Sequence, residues 1–203
     1  MLEAVNLDCV HGERRLFSGL NFSLAAGNSL QAFGPNGSGK TSLLRIVCGL
    51  AAPAAGEVRW EGAKIHRLGE EYHAQIVYLG HQNGIKDELD SVENLRISCG
   101  VAGNALSKRE APAVLERVGL SKQKHLPARL LSAGQRRRLA LSRLLASRAR
   151  LWILDEPLAS LDDDGATLAG YLISEHLSND GLAIIATHQE MGLSAGQMQR
   201  IEL

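Results

Sequence analysis

The 203 residues are enough for one domain with a real hydrophobic core, because single cores stop growing near ~250 residues. Lys plus Arg and Asp plus Glu each number 22, so the chain has no field of one sign to draw in a polyanion or an anionic bilayer, which argues against nucleic acid as a partner. The three cysteines, Cys9, Cys48 and Cys99, lie far apart and outside any CxxC pair; this argues against a disulfide framework or zinc ribbon and points to a reducing cytoplasm.

In chain order, Met1 to Val10 carries Glu3 and Asp8 where a signal peptide would carry basic residues and an apolar core. Residues 1 to about 29 read as short antiparallel strands, joined by 56–62 around a Glu61-Gly62 turn. The run Leu30-Gln-Ala-Phe33 is nearly continuously apolar, as in a strand covered on both faces. After it comes Gly34-Pro35-Asn36-Gly37-Ser38-Gly39-Lys40-Thr41, followed by a helical pattern through Leu43, Leu44, Ile46 and Val47. Strand, GxxxxGK[ST] loop and helix together form a phosphate-binding loop. Its backbone N–H groups can surround a β-phosphate, Lys40 can reach the β- and γ-phosphates, and Thr41 can ligate Mg²⁺. A plain glycine-rich turn is the competing explanation. The most apolar window, 46–55, is interrupted by Pro53 and falls well short of the ~20 residues needed to cross a bilayer.

A second buried strand is expected over 75–79, with Gln82 just beyond it. Residues from about 84 to 148 lack strand patterning and read as a helical insert. Within it, Leu131-Ser-Ala-Gly-Gln135 starts a helix, with Ser132 and Gln135 in capping-box spacing and Arg136, Arg137 and Arg138 expected on a solvated face. A third buried strand, Leu151-Trp-Ile-Leu154, ends in Asp155 and Glu156: Asp155 is placed to hold Mg²⁺ and Glu156 to polarise a water. Two carboxylates that simply open the loop at Pro157 are the alternative. A fourth strand, 182–186, leads to His188, and the stretch from Met191 onward carries no clear signal. Strands alternating with helices predict a parallel, doubly wound α/β sheet, whose ligands sit beyond the strands' carboxyl ends.

The phosphate loop, Gln82, the 131–135 segment, the acidic strand end, Ser160-Leu161-Asp162 and His188 lie in the order found in ATP-binding-cassette ATPases, which the whole chain resembles. The resemblance implies a P-loop NTPase fold with a mostly parallel doubly wound core, a small antiparallel β subdomain and a helical insert. It implies one nucleotide-binding domain over 1–203, with an ATP-binding core of about 1–83 and 149–203 and a helical signature subdomain of about 84–148. It also implies a homodimer that sandwiches each ATP between the phosphate loop of one copy and the signature residues Ser132, Gly134 and Gln135 of the other. By the same resemblance Glu156, His188 and Gln82 are catalytic, Thr41, Asp155 and Gln82 face Mg²⁺, and Gln82 relays nucleotide occupancy to separate transmembrane subunits. Two positions depart from the family pattern: Ala133 replaces the usual glycine, and His11 stands where an aromatic residue usually stacks on adenine.

Within that family, the size, Gly80-His-Gln-Asn-Gly-Ile-Lys86, Glu93-Asn-Leu95 and Leu151-Trp-Ile-Leu-Asp-Glu-Pro157 are similar to the ATP-binding subunits of the bacterial cytochrome c maturation exporter. That similarity implies a peripheral ATPase on the cytoplasmic face of the inner membrane, serving haem delivery or export, with no haem bound by this chain directly. The ATPase subunit of another transporter, a soluble non-transport cassette ATPase and an ordinary P-loop kinase are the rival readings.

Overall fold

The computed structural model describes residues 1–188, 191, 193 and 198–203. Strand β1 (Leu2–His11) runs into β2 (Arg14–Leu24) through a tight hairpin in which His11 faces Arg14. Next come β3 (Ser29–Phe33), α1 (Lys40–Val47), β4 (Ala55–Trp60) and the two-residue β5 (Ala63–Lys64). The β4–β5 connection is the expected Glu61-Gly62 turn: φ is positive at both residues, as a two-residue hairpin that follows the strand twist requires. Single-turn helices α2 (Ile65–Leu68) and α3 (Glu70–His73) lead to β6 (Ile76–Leu79).

The insert contains α4 (Ser91–Val101), α5 (Glu110–Arg117), two short 3-10 turns at 121–123 and 128–130, and α6 (Ala133–Ala146). The chain then returns through β7 (Leu151–Asp155), α7 (Asp163–Ser178), β8 (Leu182–Ala186) and β9 (Met198–Glu202). An antiparallel sheet has the order β2-β1-β4-β5, and a second sheet of order β6-β7-β8-β3-β9 has every pairing parallel.

Side-chain alternation along the central strands divides the interior in two. Leu151, Ile153, Leu182 and Ile184 face one way, into a cluster with Leu43, Leu44 and Val47 of α1 and the antiparallel sheet. Trp152, Leu154, Ala183 and Ile185 face the other way, into a cluster with Leu172 and Ile173 of α7 and Leu95, Leu115, Leu141 and Leu144 of the insert. With both faces covered, β7 and β8 are buried at all ten positions, which explains their continuous apolar runs. In β9 only the first and fourth residues, Met198 and Ile201, are partly buried, and this edge strand left no such run to read. All three cysteines are free and buried.

Candidate nucleotide site

The sheet order places β3, β8 and β7 side by side, so the loops after them open on one edge. The loop from Gly34 to Gly39 joins β3 to α1, and two of its glycines are sterically required. A Cβ on Gly34 (φ +153°) would lie 2.7 Å from Ser38 Oγ, and one on Gly39 (φ +112°) would lie 3.2 Å from the Phe17 ring. Gly39 caps α1 without a side-chain hydrogen bond, so the first N–H groups of that helix point into the loop. Lys40 is 7% exposed and its ammonium donates to the carbonyls of Gly34 (2.6 Å) and Pro35 (3.1 Å), folding the cation back over the loop. Ser38 Oγ is buried inside the loop with no hydrogen-bond partner among the described residues, as expected of a group that serves an anionic ligand.

Asp155 ends β7 at 2% exposure, and Thr41 Oγ1 at the start of α1 donates to its Oδ2 at 2.9 Å, joining two residues 114 positions apart. Burial holds the Asp155 carboxyl above the usual carboxylate range, and the Thr41 hydroxyl and then the nearby Glu156 charge pull it down and up respectively. One hydroxyl and one carboxylate side by side make a hard-oxygen donor pair that suits Mg²⁺. Glu156 follows with a left-handed backbone (φ +48°), its N–H donating to Ala186 O of β8 at 2.8 Å. Its carboxylate lies 3.1–3.2 Å from His188 Nδ1, which comes off β8.

A cleft of about 490 Å³ is lined by the phosphate loop, Asp155, Glu156, His11, Arg14, Leu16 and His81; His188 touches Glu156 but does not itself line it. His11 therefore lies at the cleft, together with an arginine that the sequence reading did not single out. The loop after β6 presents His81 to the cleft, whereas its neighbour Gln82 is exposed and outside the lining. Tyr78 of β6 was also missed; burial, and next the Asp155 charge, push its hydroxyl up to about 12.

Ser132 caps α6 in a full capping box: Gln135 N donates to Ser132 Oγ (3.2 Å), and Ser132 N donates to Gln135 Oε1 (2.9 Å). The departure at Ala133 is accommodated because this residue is exposed, occupies the first helical position and has no positive φ. Ser132, Gly134 and Gln135 do not line the cleft of their own chain.

The expectation of a solvated arginine face is overturned. Arg136 bonds Asp87 and the Ala128 carbonyl, and Arg138 bonds Asp162, whose side chain also caps α7. Arg137 is 2% exposed and donates to Pro157 O, Gly80 O, Asn83 Oδ1, Asp155 O and Glu156 O, all at 2.7–3.1 Å. Burial pushes its guanidinium down to about 10, so it stays charged at neutral pH. Its burial was signalled in the sequence: Arg137, Ala140, Leu141 and Leu144 fall at i, i+3, i+4 and i+7, and the other three are wholly buried.

Residues 17–159 match the family described as ABC transporter, which covers more than two-thirds of the chain. The chain belongs to the ABC transporter family. The cassette is 50% identical to the cytochrome c biogenesis ATP-binding export protein CcmA of Nitrosospira multiformis, over 100% of this chain and 98% of the relative. It is 45% identical to the protein of that name from Pseudomonas aeruginosa, over 99% of both chains. Among solved structures it superposes on an ABC transporter ATP-binding protein of Pyrococcus furiosus with a TM-score of 0.85 and 25% identity, over 98% of this chain and 96% of that one. A dimeric cassette, MJ0796, solved in a post-hydrolysis state with ADP and Pi, gives a TM-score of 0.81 at 23% identity, over 93% and 88%. The cassette is thus an ATP-hydrolysing subunit of ABC type with an α/β fold. No helix among the described residues is long and apolar enough to cross a membrane.

Proposed function

We propose that this cassette energises haem delivery or export in c-type cytochrome biogenesis, docked at the cytoplasmic face of the inner membrane on transmembrane subunits of the cytochrome c maturation system. The observation that carries the biological assignment is full-length identity of 40–50% to relatives named for cytochrome c biogenesis export. A strain lacking this gene product should lose covalent haem in its c-type cytochromes and keep its b-type cytochromes. Haem-stained gels test this, and normal c-type bands would refute the assignment.

Each nucleotide site is read as an ATP held by the loop 34–39, Lys40 and Thr41 of one copy and closed by Ser132, Gly134 and Gln135 of a second. The support is that Ser132 and its neighbours lie outside their own chain's cleft, while α1 begins at the loop and α6 at Ser132, each presenting a helix N-terminus of the kind that favours an anion. The whole chain serves as one nucleotide-binding domain, the 84–148 insert carrying the signature.

Thr41 and Asp155 would hold Mg²⁺, joined by Gln82 if its loop turns in from outside the cleft, and the ion when bound neutralises charge on the phosphates. Lys40 attracts the β/γ-phosphates. Glu156 accepts a proton from the attacking water at its carboxylate, which His188 Nδ1 orients from 3.1 Å. The imidazole also stands ready to contact the γ-phosphate. His11 and Arg14 at the mouth of the cleft contact the base end of the nucleotide, and Gln82, exposed beyond β6, reports occupancy to the membrane subunits.

A further inference from the structure

An arginine carries five N–H donors, and Arg137 uses all of them on five acceptors, of which four are backbone carbonyls and one is an amide oxygen. None is a carboxylate. An arginine buried for ion pairing would take a carboxylate with its fork. Here the fork is spent on geometry, and the charge is steadied from a distance by Asp155 and Glu156.

The five acceptors belong to two segments. Gly80 and Asn83 flank Gln82 after β6, and Asp155 ends β7 with Glu156 and Pro157 following it. Arg137 itself sits on α6, five residues beyond Ser132. One rigid plane therefore fixes three segments that the nucleotide reading assigns to different tasks. Glu156 is the segment most in need of fixing. Its left-handed φ of +48° is strained for a non-glycine residue and persists only where surrounding bonds impose it. Those bonds are Glu156 N–H to Ala186 O at 2.8 Å, Ala159 N–H to Glu156 O at 3.1 Å and Arg137 Nη2 to Glu156 O at 2.7 Å, the last being the shortest and the one that reaches in from another element.

We propose that Arg137 is a positioning residue for ATP hydrolysis: it sets the backbone that aims the Glu156 carboxylate and ties the Gln82 loop to it through Asn83. A displacement of the Gln82 loop then reaches Glu156 through a single side chain, and Ser132 moves with the same helix. The phosphate loop and Lys40 make no bond to Arg137, and its link to Asp155 is to the backbone carbonyl and not to the carboxylate that accepts from Thr41, so ground-state nucleotide binding depends on it far less than turnover does. This proposal rests on the reading of Glu156 as the base.

The test uses the full chain purified with its membrane subunits. Arg137→Lys keeps the charge but has three donors and no planar fork. We expect Mg-ATP affinity near that of the wild type and kcat lowered about 10²-fold, the loss typical of a roughly 1 Å misplacement in a catalytic constellation. Asn83→Ala removes only the side-chain acceptor and leaves the other four bonds. It should lower kcat several-fold at unchanged affinity, and combined with Arg137→Lys it should add little, because both cut one link.

Wild-type kcat in Arg137→Lys, or a loss that follows ATP affinity rather than kcat, overturns the proposal. So does full additivity of the two variants. If Arg137→Lys does not fold, Asn83→Ala alone decides, since wild-type turnover there removes the link to the Gln82 loop. Glu156→Gln run in parallel separates the two claims. An active Glu156→Gln overturns the base assignment and the proposal together, whereas an inactive Glu156→Gln beside an unaffected Arg137→Lys overturns the positioning role only.

Discussion

Lys40 and Glu156 line one cleft but should fail differently when altered. Lys40 supplies the ammonium nearest the phosphate loop, and a hydrogen bond to a charged group is worth about 1.5–3 kcal/mol, so Lys40→Ala should weaken ATP binding about ten- to a hundredfold. Glu156→Gln keeps size and loses basicity; it should bind ATP normally and turn over ~10²–10⁴ times more slowly. Calorimetric titration and phosphate release distinguish the two, and near-normal turnover in Glu156→Gln would dismiss it as the base.

Asp155 illustrates function held at a cost to stability. Burial raises its folded pKa above the ordinary value of about 4, so between those two values the folded chain binds more protons than the unfolded one. Stability therefore falls as pH rises through that window, and the lost stability stays lost above it. Asp155→Asn, still able to accept from Thr41 Oγ1, should raise the thermal midpoint of the unliganded chain at neutral pH, flatten its acid dependence and abolish hydrolysis. An unchanged or lower midpoint would contradict this.

At the scale of elements, α6 carries a cap and a proposed phosphate contact in one residue, and the two roles can be separated chemically. Aspartate caps helices as well as serine does, so Ser132→Asp should leave the melting temperature near that of the wild type, whereas Ser132→Ala costs about 1 kcal/mol. A carboxylate facing the γ-phosphate would repel it. Ser132→Asp should therefore lose ATPase activity while Ser132→Ala keeps more of it, and an active Ser132→Asp would reduce the segment to a cap.

The elements differ in how plainly the sequence announces them. β3, β6, β7 and β8 show as apolar runs because α1 and the antiparallel sheet cover one face and α7 and the insert the other. The chemistry after β3, β7 and β8 showed for a related reason: Lys40, Asp155 and His188 each follow such a run. β9 did not show, since Met-Gln-Arg-Ile-Glu at a sheet edge buries only part of two side chains. Arg137 was missed because a buried arginine breaks the rule that charge faces water, although its register with Ala140, Leu141 and Leu144 gave the location. The cleft's use of His81 and Arg14 depends on how loops distant in sequence meet, and no local pattern encodes that.

At the scale of the whole molecule, one chain brings together the phosphate loop, Asp155 and Glu156 in one cleft, with His188 against Glu156, but leaves Ser132 outside it. The claim that two copies complete each other's sites is tested most directly by mixing two inactive proteins. In a Ser132→Arg dimer each intact phosphate loop faces a damaged signature, and in a Lys40→Ala dimer the reverse holds. A mixed dimer has one site with both parts intact and one with both damaged. Occlusion of labelled ATP should therefore return, to at most one site per dimer, in mixtures shown to form heterodimers, while each mutant alone occludes none. Heterodimers that occlude no more ATP than either parent would contradict the shared site.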